Sequence, residues 1–406
     1  MRIAGIICEY NPFHMGHKHQ IDTLRSMGYE CIVCVMSGNY TQRGELAIFD
    51  KYTRAKAAVA CGADLVVELP FPYSSLSAEE FANAGVRILA SLGADTVSFG
   101  SECGDLHTLE NAARTILSPD FKQKYSELQR GKLGSAAAYF EAIKYFSGEG
   151  PELLSNDILG ISYLAAIQKM GLDIKVVPIK REGANYNDKT LFEGVLPSAS
   201  AIREALNGSE DNIGNILDGF VPDPVVHILE DATIRGIAPI SLRNIGTEIL
   251  SFFRLMTAKE IINRAILRCG GGEYIAEDGC GICERVCNTA RSSDNFEKFM
   301  KACYSSKYTN ARINRVILFS VLGVSNALTH KPPEYTTLLA ASSAGREILS
   351  VARKKCEFEI VTKPADAPRD SVQRKIGEAA DILYSSAFPT YFSCDFFIKS
   401  RPFVMK

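Results

Sequence analysis

The sequence predicts an α/β protein with a Rossmann-like parallel sheet, followed by a mostly α-helical C-terminal region. Two patterns predict this fold. In the first half, continuous apolar runs alternate with segments of helical spacing, which is typical of parallel strands covered by helices on both faces. After about Leu206 the spacing becomes mainly helical. The polar turn at 207–211 separates the two patterns, so we predict a domain of residues 1–206 and a second region of residues 207–406.

Five apolar runs of strand length define the predicted sheet: Arg2–Cys8, Cys31–Met36, Asp64–Leu69, Asp95–Phe99 and Asp173–Ile179. The intervening helices have recognisable ends. Gly28 ends a helix over 16–27, Asp50 caps a helix that runs to Cys61, and Gly93 follows a helix over 77–92. Further helices are expected up to about residue 145 and over 156–170.

The second half is predicted to be helical over 225–231, 242–269, 280–290, 295–303 and 310–321. Short strands are expected at 336–340 and 357–361, with a helix over 344–354 between them.

The composition is that of a soluble globular protein. Hydrophobic residues make up 46% and charged residues 23%, and a formal charge of −2 excludes binding to nucleic acid through bulk charge alone. No apolar run reaches the roughly 18 residues that a membrane span needs. Glu9 interrupts the apolar start too early for a signal peptide, and twelve dispersed cysteines fit reduced thiols, so we expect a cytoplasmic protein.

The first chemical motif follows the first strand, where His14-Met15-Gly16-His17 opens a helix. Backbone N–H groups and the dipole at a helix start favour anionic phosphate. Gly16 lacks a Cβ, so a nucleotide can approach the backbone closely. His14 and His17 can donate hydrogen bonds to phosphoryl oxygens during attack on an α-phosphate. We therefore predict a nucleotide site here rather than two surface histidines near a turn.

A second motif lies near the end of the first half, where Ser198 and Ser200 precede Arg203 at a predicted helix start. Hydroxyls and a guanidinium at this point can bind the β- and γ-phosphates of a nucleotide. An ordinary serine cap with a solvated arginine is the alternative. No P-loop signature is present in the sequence. The two motifs together resemble the nucleotidyltransferase superfamily with its histidine-glycine-histidine motif.

The loops sharpen this resemblance. The segments GIICEYNPFHMGH at the start, MSGNYTQRGE after strand two, DLVVELP around strand three and SFGSE at the end of strand four resemble the tRNA(Met) cytidine acetate ligase family. The similarity covers nearly the whole chain, with a looser match at SKYTNARINR between residues 306 and 315. Met15 departs from the asparagine that is frequent in that family.

The resemblance implies an enzyme that activates acetate with ATP as acetyl-adenylate and acetylates the wobble cytidine of elongator tRNA(Met), with magnesium accompanying ATP. It implies ATP contacts in the segment from Ile7 to Gln20, at Gly100, at Asn156 and at Arg181. The residues expected within that segment are Ile7, Glu9, Tyr10, Asn11, Pro12, Phe13, His14, Gly16, His17 and Gln20. Of the whole set, His14, His17 and Arg203 are the predicted catalytic residues.

A basic strip over 298–315 is the candidate RNA surface. It holds five basic and no acidic side chains, and tyrosines interleave. Lysine and arginine contact phosphates, and tyrosine can stack on an unpaired base. A solvated helix face is the alternative. The family resemblance favours RNA contact, and the expected residues are Lys307, Tyr308, Arg312 and Arg315.

Other candidates are weaker. Arg43 and Lys51 are possible phosphate or RNA contacts, or solvated charges, whereas Asp64 and Glu68 are not predicted as catalytic acids. Cys280, Cys283 and Cys287, near Cys269 and Cys303, have spacing that puts them on one apolar helical face. We therefore predict no metal site there, although four thiolates would suit zinc.

Two other functions stay open at this point. A small-molecule adenylyltransferase would share the fold, but it needs neither the second region nor the basic strip. A non-catalytic RNA-binding protein has no need of the intact His14, Gly16, His17 and Arg203.

Overall fold

The computed structural model describes residues 1–130, 134–147, 153–181, 198–208, 212–264, 279–305, 308–324, 328, 331–390 and 393–405. The five predicted strands form within about two residues of their expected ends. They are β1 (Ile3–Cys8), β2 (Cys31–Ser37), β3 (Leu65–Leu69), β4 (Thr96–Ser101) and β5 (Lys175–Lys180). The α/β class predicted from the alternating pattern is therefore confirmed.

The helices of the first half follow the predicted order. They are α1 (Met15–Ser26), α2 (Lys51–Ala60), α3 (Ala78–Ser91), α4 (Leu106–Leu117), α5 (Pro119–Arg130), α6 (Ser135–Ser147), α7 (Ser155–Met170) and α8 (Ala199–Gly208). As predicted, Asp50 caps α2, because its carboxylate accepts hydrogen bonds from the backbone N–H groups of Tyr52 and Thr53.

Later elements are α9 (Ile213–Leu217), α10 (Asp223–Ile234), α11 (Gly246–Leu255), α12 (Ala258–Arg264), α13 (Gly279–Ser292), α14 (Phe296–Cys303), α15 (Asn310–Leu322), β6 (Tyr335–Ala341), α16 (Ser343–Ala352), β7 (Glu359–Val361), α17 (Val372–Ser385) and β8 (Phe403–Val404). None of the described helices combines the length and the apolar run that crossing a bilayer requires.

The single helix predicted over 242–269 is wrong. A short 3₁₀ turn leads into α11, and α12 then starts anew after Thr257. The reason is a local capping box that the apolar spacing hid: the Glu260 carboxylate accepts the Thr257 N–H at 2.7 Å, and the Thr257 hydroxyl accepts the Glu260 N–H at 3.3 Å. Residues 265–269 lie outside the described part.

The strand order is β5-β4-β1-β2-β3-β6-β7, with β8 beside β6. The first five strands are parallel, and β6 pairs antiparallel with β3, so strands from beyond residue 207 extend the sheet of the first half. The chain leaves β1 toward β2 and β3, then returns to place β4 on the other side of β1. Ligands of such sheets bind beyond the carboxyl ends of the strands at this reversal, here between β1 and β4.

Buried ionic contacts also tie the two halves of the chain together. The Lys51 ammonium lies 2.9 Å from Glu68 and 2.8 Å from Asp381 of α17. Although burial lowers the pKa of Lys51, the two carboxylates raise it overall, so the ammonium stays charged. Lys51 is therefore a buried ion-pair partner rather than a phosphate or RNA contact, and Glu68 is one of its two partners.

Candidate active site

The two histidines of the H-x-G-H motif are held by backbone hydrogen bonds at the start of α1. His14 is the N-cap residue, and its Nδ1 accepts the Gly16 N–H at 3.1 Å. The Nδ1 of His17 accepts the His14 N–H at 3.3 Å. Each ring therefore uses Nδ1 as an acceptor, so a neutral imidazole at either position carries its proton on Nε2.

Both imidazoles are neutral near pH 7. Burial, with Arg181 and Arg203 nearby, lowers the pKa of His14 to about 3. Burial, with His14 and Arg181, lowers the pKa of His17 well below its ordinary value. The rings stack with centroids 3.7 Å apart. The arrangement supplies two Nε2–H donors and no imidazole acceptor, which suits oxygens that gain negative charge.

The low pKa of His14 predicts an acid-sensitive fold. Below about pH 6.5 the unfolded chain takes up a proton that folded His14 refuses, so stability falls as the pH drops from 6.5 toward 3. Linkage sets the slope at up to about 1.4 kcal/mol per pH unit for one such group. The measurement is urea unfolding at pH 7.5, 6.0 and 5.0. His14→Asn keeps an acceptor for the Gly16 N–H and should flatten the slope; the same slope in both proteins would contradict the assignment.

Gly16 has a steric role within the motif, beside the close approach of a nucleotide that the sequence predicts. A Cβ at this position would lie 2.9 Å from Cε1 of His14, so the glycine makes room for the histidine ring itself. The H-x-G-H spacing is therefore explained in part by sterics, because the His14 imidazole packs over Gly16, two residues later.

Arg203 joins the two predicted motifs. Its Nη1 donates to the carbonyl oxygen of Asn11 at 2.8 Å, and its Nη2 donates to the Ser200 hydroxyl at 3.3 Å. Ser198 is buried and caps α8, where its hydroxyl accepts the Ala201 N–H at 3.0 Å. Ser198 therefore caps α8, and its phosphate contact stays a prediction, while Arg203 reaches the turn that follows β1.

The ends of β4 and β5 form the opposite side of the site. A Cβ on Gly100 would lie 3.3 Å from Cγ of Arg181, so the arginine passes directly over the glycine. Glu102 accepts a hydrogen bond from the Asn156 side chain at 2.5 Å and lies 3.9 Å from Nε of Arg181. Gly100, Asn156 and Arg181, which were inferred only from the resemblance, are thus neighbours at one sheet edge.

The remaining residues of the segment from Ile7 to Gln20 make supporting contacts within the protein, and their ATP contacts stay a prediction. Ile7 fills the space above Gly85 of α3, and Gln20 donates to the Ser98 hydroxyl at 3.3 Å. The Tyr10 ring contacts the rings of Phe13 and His17 with centroids 4.9 and 4.7 Å apart. Tyr10 has φ 45°, and the peptide between Asn11 and Pro12 is cis. The Asn11 side chain accepts the Ile48 N–H at 2.8 Å.

Two buried charged residues that hold these loops are not recognisable from the sequence. Arg54 is fully buried and donates to the carbonyl oxygens of Glu9, Ser37, Gly38 and Phe49, which fixes the ends of β1 and β2 together. Asp157 is also buried; its carboxylate accepts from the Ser101 hydroxyl at 2.5 Å and from the backbone of Glu102, Cys103 and Leu154. In the sequence both look like ordinary helix charges, Arg54 between Lys51 and Lys56 and Asp157 in the first turn of α7.

The basic strip is exposed at Lys298 and Lys301 and partly buried from Tyr308 to Arg315. Lys307 lies outside the described residues. The Tyr308 ring is buried, and the Arg312 guanidinium lies 5.1 Å from its centroid. Nε of Arg312 is buried without a hydrogen-bond partner in the described part of the chain. Arg315 donates to the Gln42 carbonyl at 2.9 Å, so it braces the loop after β2.

A cleft of about 1660 Å³ runs past this strip. Its walls come from α3, α5, α6 and α7 and from Ser305 and residues between 308 and 315, and Gln42 is part of its lining. Basic side chains outnumber acidic ones in the lining: Arg87, Lys122, Lys169, Arg312, Arg315, Lys331 and Lys355 against Glu79, Glu80 and Glu357. The Gln42 N–H donates to Glu9 at 2.8 Å, so the cleft adjoins the turn after β1.

The cysteines of α13 pack into the helical core. Cys283, Cys287 and Cys303 are buried among residues such as Ile282 and Val286. Cys269 and the side chain of Cys280 lie outside the described part. Among the residues that are described, no group of three or more histidine, cysteine or acidic side chains is arranged to hold a metal ion.

Comparisons with known proteins show which family this chain belongs to. The profile of the family described as HIGH Nucleotidyl Transferase matches residues 1–394. The tRNA(Met) cytidine acetate ligase of Acetivibrio thermocellus is 33% identical over 382 residues, which cover 90% of this chain and 89% of that protein. The protein of the same name from Caldanaerobacter subterraneus subsp. tengcongensis is 36% identical over 376 residues, with the same coverage.

Two crystal structures extend the comparison to the fold. Apo Thermotoga maritima TmcAL superposes with a TM-score of 0.88 at 31% identity, and Thermotoga maritima TmcAL bound with alpha-thio ATP superposes with a TM-score of 0.85 at 29% identity. Both superpositions cover 100% of each chain.

Proposed function

The chain belongs to the tRNA(Met) cytidine acetate ligase family of ATP-dependent ligases, and from this premise we propose that it activates acetate and acetylates the wobble cytidine of elongator tRNA(Met). One observation carries the proposal: His14, His17, Arg181 and Arg203 converge at the sheet reversal between β1 and β4. Two imidazole N–H donors and two guanidinium groups can together bind the negatively charged oxygens of a triphosphate.

In the first step, a carboxylate oxygen of acetate attacks the α-phosphorus of ATP. A P–O bond forms to acetate, the bond to the β-phosphate oxygen breaks, and pyrophosphate leaves. The Nε2–H groups of His14 and His17 donate to the phosphoryl oxygens as their charge rises. Arg203 and Arg181 hold the outer phosphates, and neither histidine gains or loses a proton.

Magnesium fits this site as a companion of ATP rather than as a protein-bound ion. Mg²⁺ takes oxygen ligands and keeps several waters. The groups that face the phosphates are imidazole and guanidinium donors, while the Glu102 carboxylate is already engaged by Asn156 and by the Asp157 N–H. The phosphates and water would therefore supply the ligands, and the ion would neutralise charge on the leaving pyrophosphate.

For the second step, the tRNA is proposed to lie in the cleft beside α15. The excess of basic side chains in its lining attracts phosphates, and the Arg312 side chain is one of the cations that line it. We propose Lys307, Tyr308, Arg312 and Arg315 as the RNA segment, with Tyr308 acting as a support for Arg312 rather than as a stacking platform because its ring is buried.

The decisive experiment is ATP–pyrophosphate exchange with and without acetate, followed by acetyl transfer to a panel of tRNAs. We expect exchange that depends on acetate and not on tRNA, and transfer to elongator tRNA(Met) in preference to initiator tRNA(Met). Exchange that requires a phosphorylated small molecule instead of acetate would make the protein an adenylyltransferase of the alternative kind.

Arg203→Lys tests the outer phosphate contacts. A guanidinium can hold Asn11, Ser200 and two phosphate oxygens with its planar set of donors, whereas an ammonium cannot. We expect kcat/KM for ATP in the exchange reaction to fall about tenfold or more, which corresponds to the loss of one or two charge-assisted hydrogen bonds. The Kd for tRNA should stay the same. Equal weakening of tRNA binding would place Arg203 on the RNA surface instead.

A further inference from the structure

The tight turn over 41–45, in the loop after β2, is wedged between the nucleotide site and the basic helix α15. Thr41 and Glu45 close the turn, since the Thr41 N–H donates to the Glu45 carbonyl at 3.0 Å. Gly44 has φ 71°, and a Cβ there would lie 2.7 Å from the backbone nitrogen of Arg315. Glu9 and Arg315 hold Gln42 from opposite sides. The turn therefore has one fixed position.

Glu45 is the carboxylate that this turn presents between the two sites. It is partly buried, and Arg203, Arg43 and Glu9 are the charged groups that act on it electrostatically. From the α14–α15 side, Tyr304 is close enough that burial and the Glu45 charge both raise the pKa of its hydroxyl. Within the described residues, no hydrogen bond or ion pair engages the Glu45 carboxylate oxygens. Burial raises the pKa of Glu45, with Glu9 adding to the shift and the two arginines opposing it.

The other groups at this edge are poorly placed to accept a proton. His14 and His17 use Nδ1 for backbone N–H groups and carry their protons on Nε2. Glu102 is held by Asn156 and by the Asp157 N–H, and Asp157 is buried with both oxygens engaged. Glu9 accepts the Gln42 N–H. Among the described carboxylates here, Glu45 alone has both oxygens available.

We propose that Glu45 is the general base of the transfer step, taking the proton that the cytidine amine loses when it attacks acetyl-adenylate; this inference rests on the proposed function. The N4 nitrogen forms a bond to the acetyl carbon, the carbon–oxygen bond to the phosphate breaks, and AMP leaves with the electron pair. One N4 proton passes to Glu45 and then to water. The Glu45 carboxylate lies near Arg203 on the nucleotide side and near Tyr304 on the α15 side, so it would contact the N4 amine of a cytidine bound beside α15.

The test separates the two half-reactions. Acetate-dependent ATP–pyrophosphate exchange reports folding and adenylation, and a single-turnover chase of enzyme-bound acetyl-adenylate with tRNA(Met) reports transfer. Glu45→Gln keeps the shape and removes the base. We expect exchange to change less than threefold, transfer to fall about 100-fold or more, as for loss of a general base, and the acid limb of the transfer pH profile to vanish. Glu297→Gln, an exposed change of the same kind on α14, should leave both unchanged.

Glu45→Asp distinguishes a base from a structural prop. If Glu45 is a base, the Glu45→Asp variant should transfer acetyl faster than Glu45→Gln and keep the acid limb of the pH profile. If only the shape of the side chain matters, Glu45→Gln should be the faster of the two. Parallel loss of exchange and transfer, or transfer by Glu45→Gln at the parent rate, would overturn the proposal. Exchange without acetate dependence in the parent protein would instead overturn the proposed function and leave Glu45 with no transfer step to catalyse.

Discussion

His17→Ala should lower acetate-dependent ATP–pyrophosphate exchange by about 100-fold or more, the usual loss for one transition-state donor in a water-poor site. Both the neutral state and the Nε2–H orientation of His17 follow from its contacts: Nδ1 accepts the His14 N–H, and burial with nearby His14 and Arg181 keeps the pKa low. The donor strengthens its bond only as charge develops on the α-phosphate. The loss should therefore appear in kcat rather than in KM for ATP.

Two further variants make the result specific. His17→Asn retains an acceptor for the His14 N–H but lacks the Nε2–H donor, so it should be nearly as slow as His17→Ala while unfolding at nearly the parent urea concentration. His19→Ala removes an exposed imidazole from the same helix and should keep full exchange. A His17→Asn protein with the parent kcat would remove the histidine from adenylation.

The apolar pattern predicted the sheet well because most strands of the first half are continuous buried runs, which is how strands covered by helices on both faces read in a sequence. It failed over 242–269, since apolar spacing passes unchanged through a capping box, and Thr257 and Glu260 lie on the polar side that the pattern ignores. It also placed β6 and β7 as short strands without indicating that β6 would pair with β3, because pairing between distant segments leaves no local trace.

The candidate site shows the same division. Spacing alone was enough to place His14 and His17 at a helix start. Gly100, Asn156 and Arg181 were predicted only from the family resemblance, and they lie at the same edge of the sheet. Arg54 escaped because a buried arginine that binds only backbone carbonyls resembles, in sequence, a surface charge within a helix. Lys51 was misjudged for the same reason: burial and two carboxylate partners are properties of the folded chain, not of its composition.

Changing Lys307 and Arg312 together to alanine should abolish efficient transfer at limiting tRNA while acetate-dependent exchange persists. Arg312 lines the cleft, so its guanidinium is a candidate phosphate contact. Arg315 is left intact because its guanidinium braces Gln42, and its loss would disturb the turn that carries Glu45. Two lost phosphate contacts should weaken tRNA binding about tenfold or more at moderate salt and lower the salt slope by about two units.

The measurement is the Kd for tRNA(Met) between 50 and 200 mM salt, values that span roughly the range over which phosphate contacts are most visible, together with transfer at limiting and saturating tRNA. Because the variant removes only binding, saturating tRNA should restore most of the transfer rate, in contrast to Glu45→Gln, whose deficit no tRNA concentration repairs. Lys298→Ala is the matched control, since its ammonium already pairs with Asp294 at 2.6 Å. A double variant with the parent salt slope would show that residues 307–312 are a solvated face, and that the tRNA binds elsewhere in the cleft.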